Sequence, residues 1–283
     1  MTGPTEPSTM VICLFAFNRG RKILPTLHAL AGQDRAGGRI TRILVVDNGS
    51  RDDTPTIVSR FIAEHADAQM QLVIEPTPGK SEAIRRAFAE TDESVVAIID
   101  DDCLPRADWA SSLLDALDAQ PRAGIAGGRV RVAFETGPTR VARRYITSFG
   151  PQDFGPVRCR VSGVEEFLGG GSQAIRRRAM LESGWLDRGR LTCLRQAELS
   201  GGEDVELCHM VRRAGWELWY EPGAVLEHVI PASRQSVSEI ARLRESVARV
   251  EPWLKWTAHG EPDAQWVRGH LDKSRRRYVK TLL

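Results

Sequence analysis

Four short apolar runs, each followed by a helical stretch, constrain this chain more than any other feature. VICLFAF, ILVVD, QLVIE and VVAIID are nearly continuous in apolar residues, as strands buried on both faces are. The segments that follow them, RKILPTLHAL, PTIVSRFIAEHA, SEAIRRAFAE and ADWASSLLDALDAQ, repeat apolar residues at helical spacing. The alternation predicts an α/β fold with a parallel, right-handed, doubly wound sheet. Ligands of such sheets bind outside the carboxyl ends of the strands. Asn18-Arg19, Asp47-Asn48-Gly49-Ser50 and Asp100-Asp101-Asp102 each follow an apolar run, so they are expected to converge on one cleft.

The pattern changes after Gly124. GIAGGRVRVAF and VSGVEEFLGGGSQAI read as strands broken by glycines, helices recur around 177–182 and 205–214, and WELWYEPGAVLEHV reads as two further short strands. A mixed sheet carrying the second half of the site is expected here. Residues 1–9 are polar and proline-bearing, so order is expected to begin at Val11, and residues 235–283 read as a helical, basic tail. The 39 Lys and Arg against 37 Asp and Glu leave no net field to attract nucleic acid. Five cysteines without a CxxC pair point to a reducing cytosol and to no structural zinc. No apolar run approaches the roughly 20 residues of a bilayer span, and the opening MTGPTEPST lacks the basic start of a signal peptide. A soluble chain, or one held only at a membrane surface, is expected.

The strongest chemical signal is Asp100-Asp101-Asp102 before Cys103-Leu104-Pro105. Three adjacent carboxylates repel one another, and a divalent cation with oxygen ligands relieves that. In extended backbone Asp100 and Asp102 face one way and Asp101 the other; the alternative is an acidic turn capping the next helix. Asp47 can accept hydrogen bonds from a pyrimidine imide or a ribose hydroxyl, with Asn48-Gly49 turning tightly beside it, or DNGS is an ordinary loop. Gly201-Gly202-Glu203-Asp204 runs into the amphipathic VELCHMVRRAG. An acid at that helix start is favoured by the dipole and suits a proton acceptor, although a cap would place it there too. Gly169-Gly170-Gly171-Ser172 permits close approach by a flat substrate or forms a bulge. His228 at the end of AVLEHV is either a metal ligand or a satisfied histidine.

Taken in order, FAFNRG, VVDNGSRDDT, PGKSEAIRRAF, IIDDDCLP, FLGGGSQAIRRRAM and GGEDVELCHMVRRAGWELWYEPGAVLEH resemble the inverting GT-A glycosyltransferases of family 2. The resemblance covers roughly residues 10–232. It implies a GT-A domain over 10–234, with a nucleotide-binding half (10–120) and an acceptor-side half (121–234), followed by the extension 235–283. It also implies Mg²⁺ or Mn²⁺ held by Asp100, Asp102 and His228, with Asp102 bound directly. Donor contacts would come from Phe17, Asn18, Arg19, Asp47, Lys80, Arg85, Asp100, Asp101 and Glu203. Gly170, Gly171 and Ser172 would lie beside donor sugar and acceptor, and Asp204 would be the catalytic base. The family often has proline where Ala16 or Phe17 stands, and commonly asparagine where Arg85 stands.

The implied donor is a nucleotide sugar, with UDP favoured over dTDP and GDP, and the acceptor a saccharide or lipid-linked saccharide. A sugar nucleotidyltransferase is the nearest rival, but FNRGRKI is a poor match to its basic, glycine-rich phosphate loop. A non-catalytic nucleotide-sugar sensor would not need Asp204. A receiver-type domain would stop near residue 120. In the tail, Trp253, Trp256 and Trp266 with Arg275, Arg276, Arg277 and Lys280 could form a face for peripheral membrane contact, or the tryptophans could pack on the catalytic domain. The second reading is favoured.

Overall fold

The computed structural model of the protein describes residues 8–189, 191 and 201–259. Its strands are β1 Met10–Ala16, β2 Ile40–Asp47, β3 Met70–Ile74, β4 Val95–Asp100, β5 Cys103–Pro105, β6 Ala123–Phe134, β7 Cys159–Val161, β8 Ser172–Arg176 and β9 Glu217–Ile230. Its helices are α1 Leu24–Ala31, α2 Thr54–Glu64, α3 Lys80–Ala89, α4 Trp109–Ala119, α5 Arg140–Arg144, α6 Arg177–Ser183, α7 Trp185–Arg188, α8 Glu203–Arg213 and α9 Val237–His259. Among the described residues these strands form one sheet in the order β3-β2-β1-β4-β8-β6-β9-β5, with β7 also pairing to β9.

The expected parallel half is present: β1 pairs in parallel with β2 and β4, and β2 with β3. All seven residues of β1 are buried, and the period-two alternation divides them between two layers. Met10, Ile12 and Leu14 join residues of α1, α2 and α4 on one face. Val11, Cys13 and Phe15 join residues of α3, α6, α7 and α8 on the other. Each fully buried aliphatic or aromatic side chain contributes about 1.5–3 kcal/mol through removal from water. A third, smaller cluster of Ala142, Phe149, Ile230 and Ile240 seats the start of α9.

The second half is mixed, as expected, but it continues the same sheet. β8 runs antiparallel to both β4 and β6, while β6 and β9 are parallel. Several boundaries differ from the sequence reading. WELWYEPGAVLEHV forms one strand, because β6 stays paired on both sides of an irregularity at which Gly128 faces Glu221 and Arg129 faces Val225. A side chain at Gly128 would meet the Ala224 carbonyl at 2.2 Å, so glycine is required there. VSGVEEFLGGGSQAI supplies only the last residue of β7 and most of β8, with loop between them.

The helix expected over RKILPTLHAL begins as a 3₁₀ turn at Gly20–Ile23, since Pro25 in the first turn of α1 has no amide hydrogen to extend it backward. Residues 1–7 lie outside the described residues. Order nevertheless starts ahead of Val11: Met10 is in β1, and the Thr9 carbonyl accepts hydrogen bonds from Ser94 Oγ at 3.0 Å and Val95 N at 2.9 Å. No helix among the described residues is long and apolar enough to cross a membrane. In the tail, Trp253 donates its indole N–H to Glu206 Oε1 of α8 at 2.8 Å and meets Trp256 at 3.9 Å between ring centroids. Trp266, Arg275, Arg276, Arg277, Lys280 and Cys193 lie outside the described residues.

Candidate active site

Strand register assembles the cleft. Across the parallel pairs Ala16 faces Asp47 and Phe15 faces Asp100, so the polar residues after β1, β2 and β4 emerge at one level. Ile99 faces Ser172 across the antiparallel β4–β8 pair, which brings the glycine run to the same edge. β5 pairs with β9 so that Cys103 faces His228, placing the histidine beside the acidic cluster.

The three aspartates have separate environments. Asp100 receives Lys80 Nζ at 2.5 Å, and that ammonium is also 3.9 Å from Glu203 Oε1. Burial alone would lower the Lys80 pKa, but Asp100 and Glu203 outweigh it and raise it. Asp101 lies in the turn after β4 rather than in extended backbone: Oδ2 accepts from Phe17 N at 3.0 Å and Oδ1 pairs with Arg19 Nε at 3.3 Å. Burial pushes its carboxyl up to about 7 against the opposing pull of Arg19. Phe17, Arg19 and Asp101 therefore brace the loop after β1 against the loop after β4. Asn18 adopts a left-handed conformation, φ 48°, and its Oδ1 accepts from Arg51 N at 2.7 Å.

Asp102 lies between His228 and Arg234, with Oδ1 3.5 Å from His228 Nε2 and Oδ2 3.1 Å from Arg234 Nη1. Burial would raise its pKa, but these partners hold it far below the usual carboxylate range. For His228, burial acts downward and the hydrogen bond and charge of Asp102 act upward, with a net rise. His228 Nδ1 lies 2.8 Å from the Phe149 carbonyl. A carbonyl only accepts, so Nδ1 carries the hydrogen and Nε2 is the nitrogen able to ligate. Two carboxylates and one imidazole are ligand types that suit Mg²⁺ or Mn²⁺, but among the described residues no three such side chains are grouped closely enough to hold a metal ion, and Asp100 and Asp102 are turned to Lys80 and Arg234. Arg234 escaped the sequence reading; a basic residue six positions past His228 is the only sequence signal for it.

Asp47 is 1% exposed. Its Oδ2 accepts from Ser50 N at 2.9 Å, while Oδ1 is buried with no hydrogen-bond partner among the described residues. An orphaned acceptor at a strand end costs stability unless a ligand donates to it. Asn48 holds the neighbouring loop by donating to the Thr77 carbonyl at 2.7 Å and accepting from Gly79 N at 2.8 Å.

Across the cleft, Asp204 accepts from Gly170 N at 2.8 Å and from Val205 N at 2.9 Å. A Cβ on Gly170 would meet the Asp204 Cβ at 2.8 Å, and one on Gly171 would meet Asp100 Oδ2 at 3.4 Å. Two consecutive glycines thus make room for the two carboxylates. Glu203 points elsewhere: it is 5% exposed, burial pushes its carboxyl up to about 7 against the pull of Lys80, and its Oε2 has no hydrogen-bond partner among the described residues. Glu206 accepts the Trp185 and Trp253 indoles at 3.2 and 2.8 Å.

Two expected site residues are engaged in holding the fold. Ser172 is fully buried and its hydroxyl accepts from Trp109 Nε1 at 2.9 Å, because its alternation on β8 turns it toward α4. Arg85 donates to the Leu186 and Gly189 carbonyls at 2.7 and 2.9 Å and to Glu82 Oε1 at 2.6 Å, with its guanidinium over the Trp185 ring. Arg85→Ala is expected to cost about 2 kcal/mol, near 1 kcal/mol for each of the two lost bonds to backbone carbonyls, and to lower the melting temperature by several degrees. Nucleotide affinity should stay within about twofold; a tenfold loss with an unmoved melting temperature would instead place Arg85 on the donor.

The sequence profile described as glycosyl transferase family 2 matches residues 11–185, well over half of the chain. The pre-mycofactocin glycosyltransferase of Mycobacterium tuberculosis is 28% identical over 189 residues, 66% of this chain and 37% of that protein. Glycosyltransferase AglE of Haloferax volcanii is 26% identical over 141 residues, 50% of this chain and 45% of that protein. The chain therefore spans less than half the length of these curated relatives. Among solved structures, GalNAc-T7 with UDP, GalNAc and Mn²⁺ superposes with a TM-score of 0.63 at 15% identity, covering 98% of this chain and 56% of that one. A Pyrobaculum calidifontis mannosyltransferase with GDP-Man and Mn²⁺ gives 0.60 at 17% identity, covering 98% and 88%. The structural likeness carries the GT-A fold, and by the profile match the chain belongs to glycosyl transferase family 2.

Proposed function

We propose that the protein is an inverting, divalent-metal-dependent glycosyltransferase that moves a sugar from a nucleotide diphosphate sugar to an acceptor hydroxyl. The observation that carries this reading is the pair Gly170 and Gly171, of which the first donates its N–H to Asp204 and the second stands against Asp100 Oδ2. The nucleoside would donate to the orphaned Oδ1 of Asp47, lying against the loop of Asn48 and Gly49. A Mg²⁺ or Mn²⁺ held by Asp100, Asp102 and His228 would supply charge neutralisation of the departing diphosphate. Lys80 and Arg234 add fixed positive charge at Asp100 and Asp102.

Asp204 would take the proton of the acceptor hydroxyl as its oxygen attacks the anomeric carbon from the face opposite the diphosphate. One displacement inverts that carbon, and no covalent enzyme intermediate forms. The Gly170 and Val205 N–H groups fix the carboxylate for this task, because a base must be held within hydrogen-bond reach of the proton that it removes.

Calorimetric titration of UDP, GDP and dTDP, each with Mn²⁺ and again with chelator, tests the reading. Metal-dependent binding of one nucleotide is expected, with UDP favoured. Binding of none, or equal binding with and without chelator, would sink it.

A further inference from the structure

Between Glu135 and Asp153 the chain has no acidic residue, and it places Arg140, Arg143 and Arg144 there. These three arginines stand on one face of α5 and are exposed, while Ala142 of the same helix is buried in a cluster with Ile240 of α9. A fourth unmatched arginine comes from α9. Its neighbours on that helix have partners: Arg242 pairs with Glu239, Arg249 with Glu245 and Lys255 with Glu251, at 2.7, 2.8 and 3.1 Å. Arg244 has no acid three or four residues away and turns to Tyr145, its guanidinium carbon 5.2 Å from the ring centroid; that of Arg144 is 5.8 Å from the same ring. None of the four arginines forms an ion pair among the described residues. Like charges gathered without a counter-ion repel one another, and an anion from outside relieves that.

The patch is continuous with the candidate base. Arg244, Thr147 and Ser148 line a cavity of about 570 Å³ together with Asp204, a volume in the range of small-ligand sites. Glu251 lines it too, but its charge is matched by Lys255. The Thr147 and Ser148 hydroxyls can both donate to and accept from the hydroxyls of a sugar. Resting on the transferase reading above, we infer that the acceptor is an anionic saccharide. Its reacting hydroxyl lies at Asp204, and a carboxylate or phosphate on the same or the next sugar unit lies at Arg244 and Arg144. A guanidinium binds either oxyanion through paired N–H donors. A bilayer surface is also anionic, but it does not enter the cavity that Arg244 shares with Asp204.

The test is calorimetric titration into the full chain, with Mn²⁺ and the nucleotide that binds both saturating, of glucose, glucuronate and glucose 6-phosphate, and of galactose and galacturonate in parallel. At least one acid should bind about tenfold more tightly than its neutral counterpart at low ionic strength, the lower end for a hydrogen bond to a charged group. Added salt should erode that advantage. Glucuronate or galacturonate ahead of the phosphate assigns a carboxylate, and the reverse order a phosphate. Arg144→Gln combined with Arg244→Gln should bring acid and neutral sugar within about twofold of each other, with circular dichroism checking that the fold is retained, whereas Arg244→Lys keeps the charge and should retain part of the preference. Equal binding of acids and neutral sugars overturns the inference, as does a preference that survives the double substitution. Sugars bound alike, with flotation of the protein on phosphatidylglycerol vesicles, would give the patch to a membrane and also overturn it. Nucleotide binding intact without a preference for acids defeats only the acceptor inference, whereas absent nucleotide binding defeats the transferase reading and the inference that rests on it.

Discussion

Asp204→Asn is expected to lower sugar transfer by about a thousandfold while nucleotide affinity in Mn²⁺ stays within about twofold of the unsubstituted protein. A positioned general base contributes about 10²–10⁴-fold, and an amide cannot accept the proton. The substitution nearly conserves shape. Asp204 uses one oxygen for Gly170 N and the other for Val205 N, so asparagine keeps one of these bonds and turns an N–H toward the other donor. That costs about 1 kcal/mol, too little to unfold the domain, and the loss should appear in kcat rather than in donor KM. Where no acceptor is available, slow hydrolysis of the nucleotide sugar serves as the readout. A rate within tenfold of the original protein would remove Asp204 from the role of base.

Asp102→Ala is expected to weaken Mn²⁺-dependent nucleotide binding by at least about a hundredfold, since even an outer partner of a metal ligand is worth about 10–100-fold. Unchanged metal affinity would take Asp102 out of the metal set. The same variant has a signature that needs no metal. The His228 pKa is raised because Asp102 outweighs burial and the Arg234 charge. Without that carboxylate only the Phe149 carbonyl still opposes the two downward influences. In metal-free protein the His228 resonances should therefore titrate above the ordinary value of about 6.5 before substitution and at lower pH afterwards. Stability follows the same logic. A carboxyl whose pKa is depressed on folding stabilises the protein above the unfolded value near 3.9, and that contribution is lost as pH falls through the folded value. The melting temperature of Asp102→Ala should thus lie below that of the original protein at pH 7, with the contribution from this ionisation fading in strong acid.

The parallel half of the fold was legible because its signal is local. A strand buried on both faces must be apolar over five or six residues, and each helix repeats every three to four, so β1 to β4 and α1 to α4 could be read from the chain within a few residues. The polar residues at strand ends followed from the same reading, since parallel register brings Asp47 and Asp100 to one edge without further information. The second half was less legible. EPGA looked like a break in a strand, yet β9 continues because β6 supplies partners on both sides of the irregularity.

By itself the sequence determined the strand and helix alternation, the edge at which the polar strand-end residues gather and the side chains present there, all of which depend on residue type and short spacing. Tertiary structure decided which of those side chains face the cleft. Ser172 and Gly171 are neighbours in the chain, but one turns into the core under Trp109 and the other stands beside Asp100. Arg85 is drawn to the carbonyls of Leu186 and Gly189, more than a hundred residues along the chain. Arg234 reaches Asp102 only because β9 carries the chain back past β5, and Arg244 of α9 shares a cavity with Asp204 only because the helix returns across α8. A period of two or 3.6 states which residues share a face; which face is buried, and against what, depends on contacts between segments far apart in sequence, and only the packed structure specifies them.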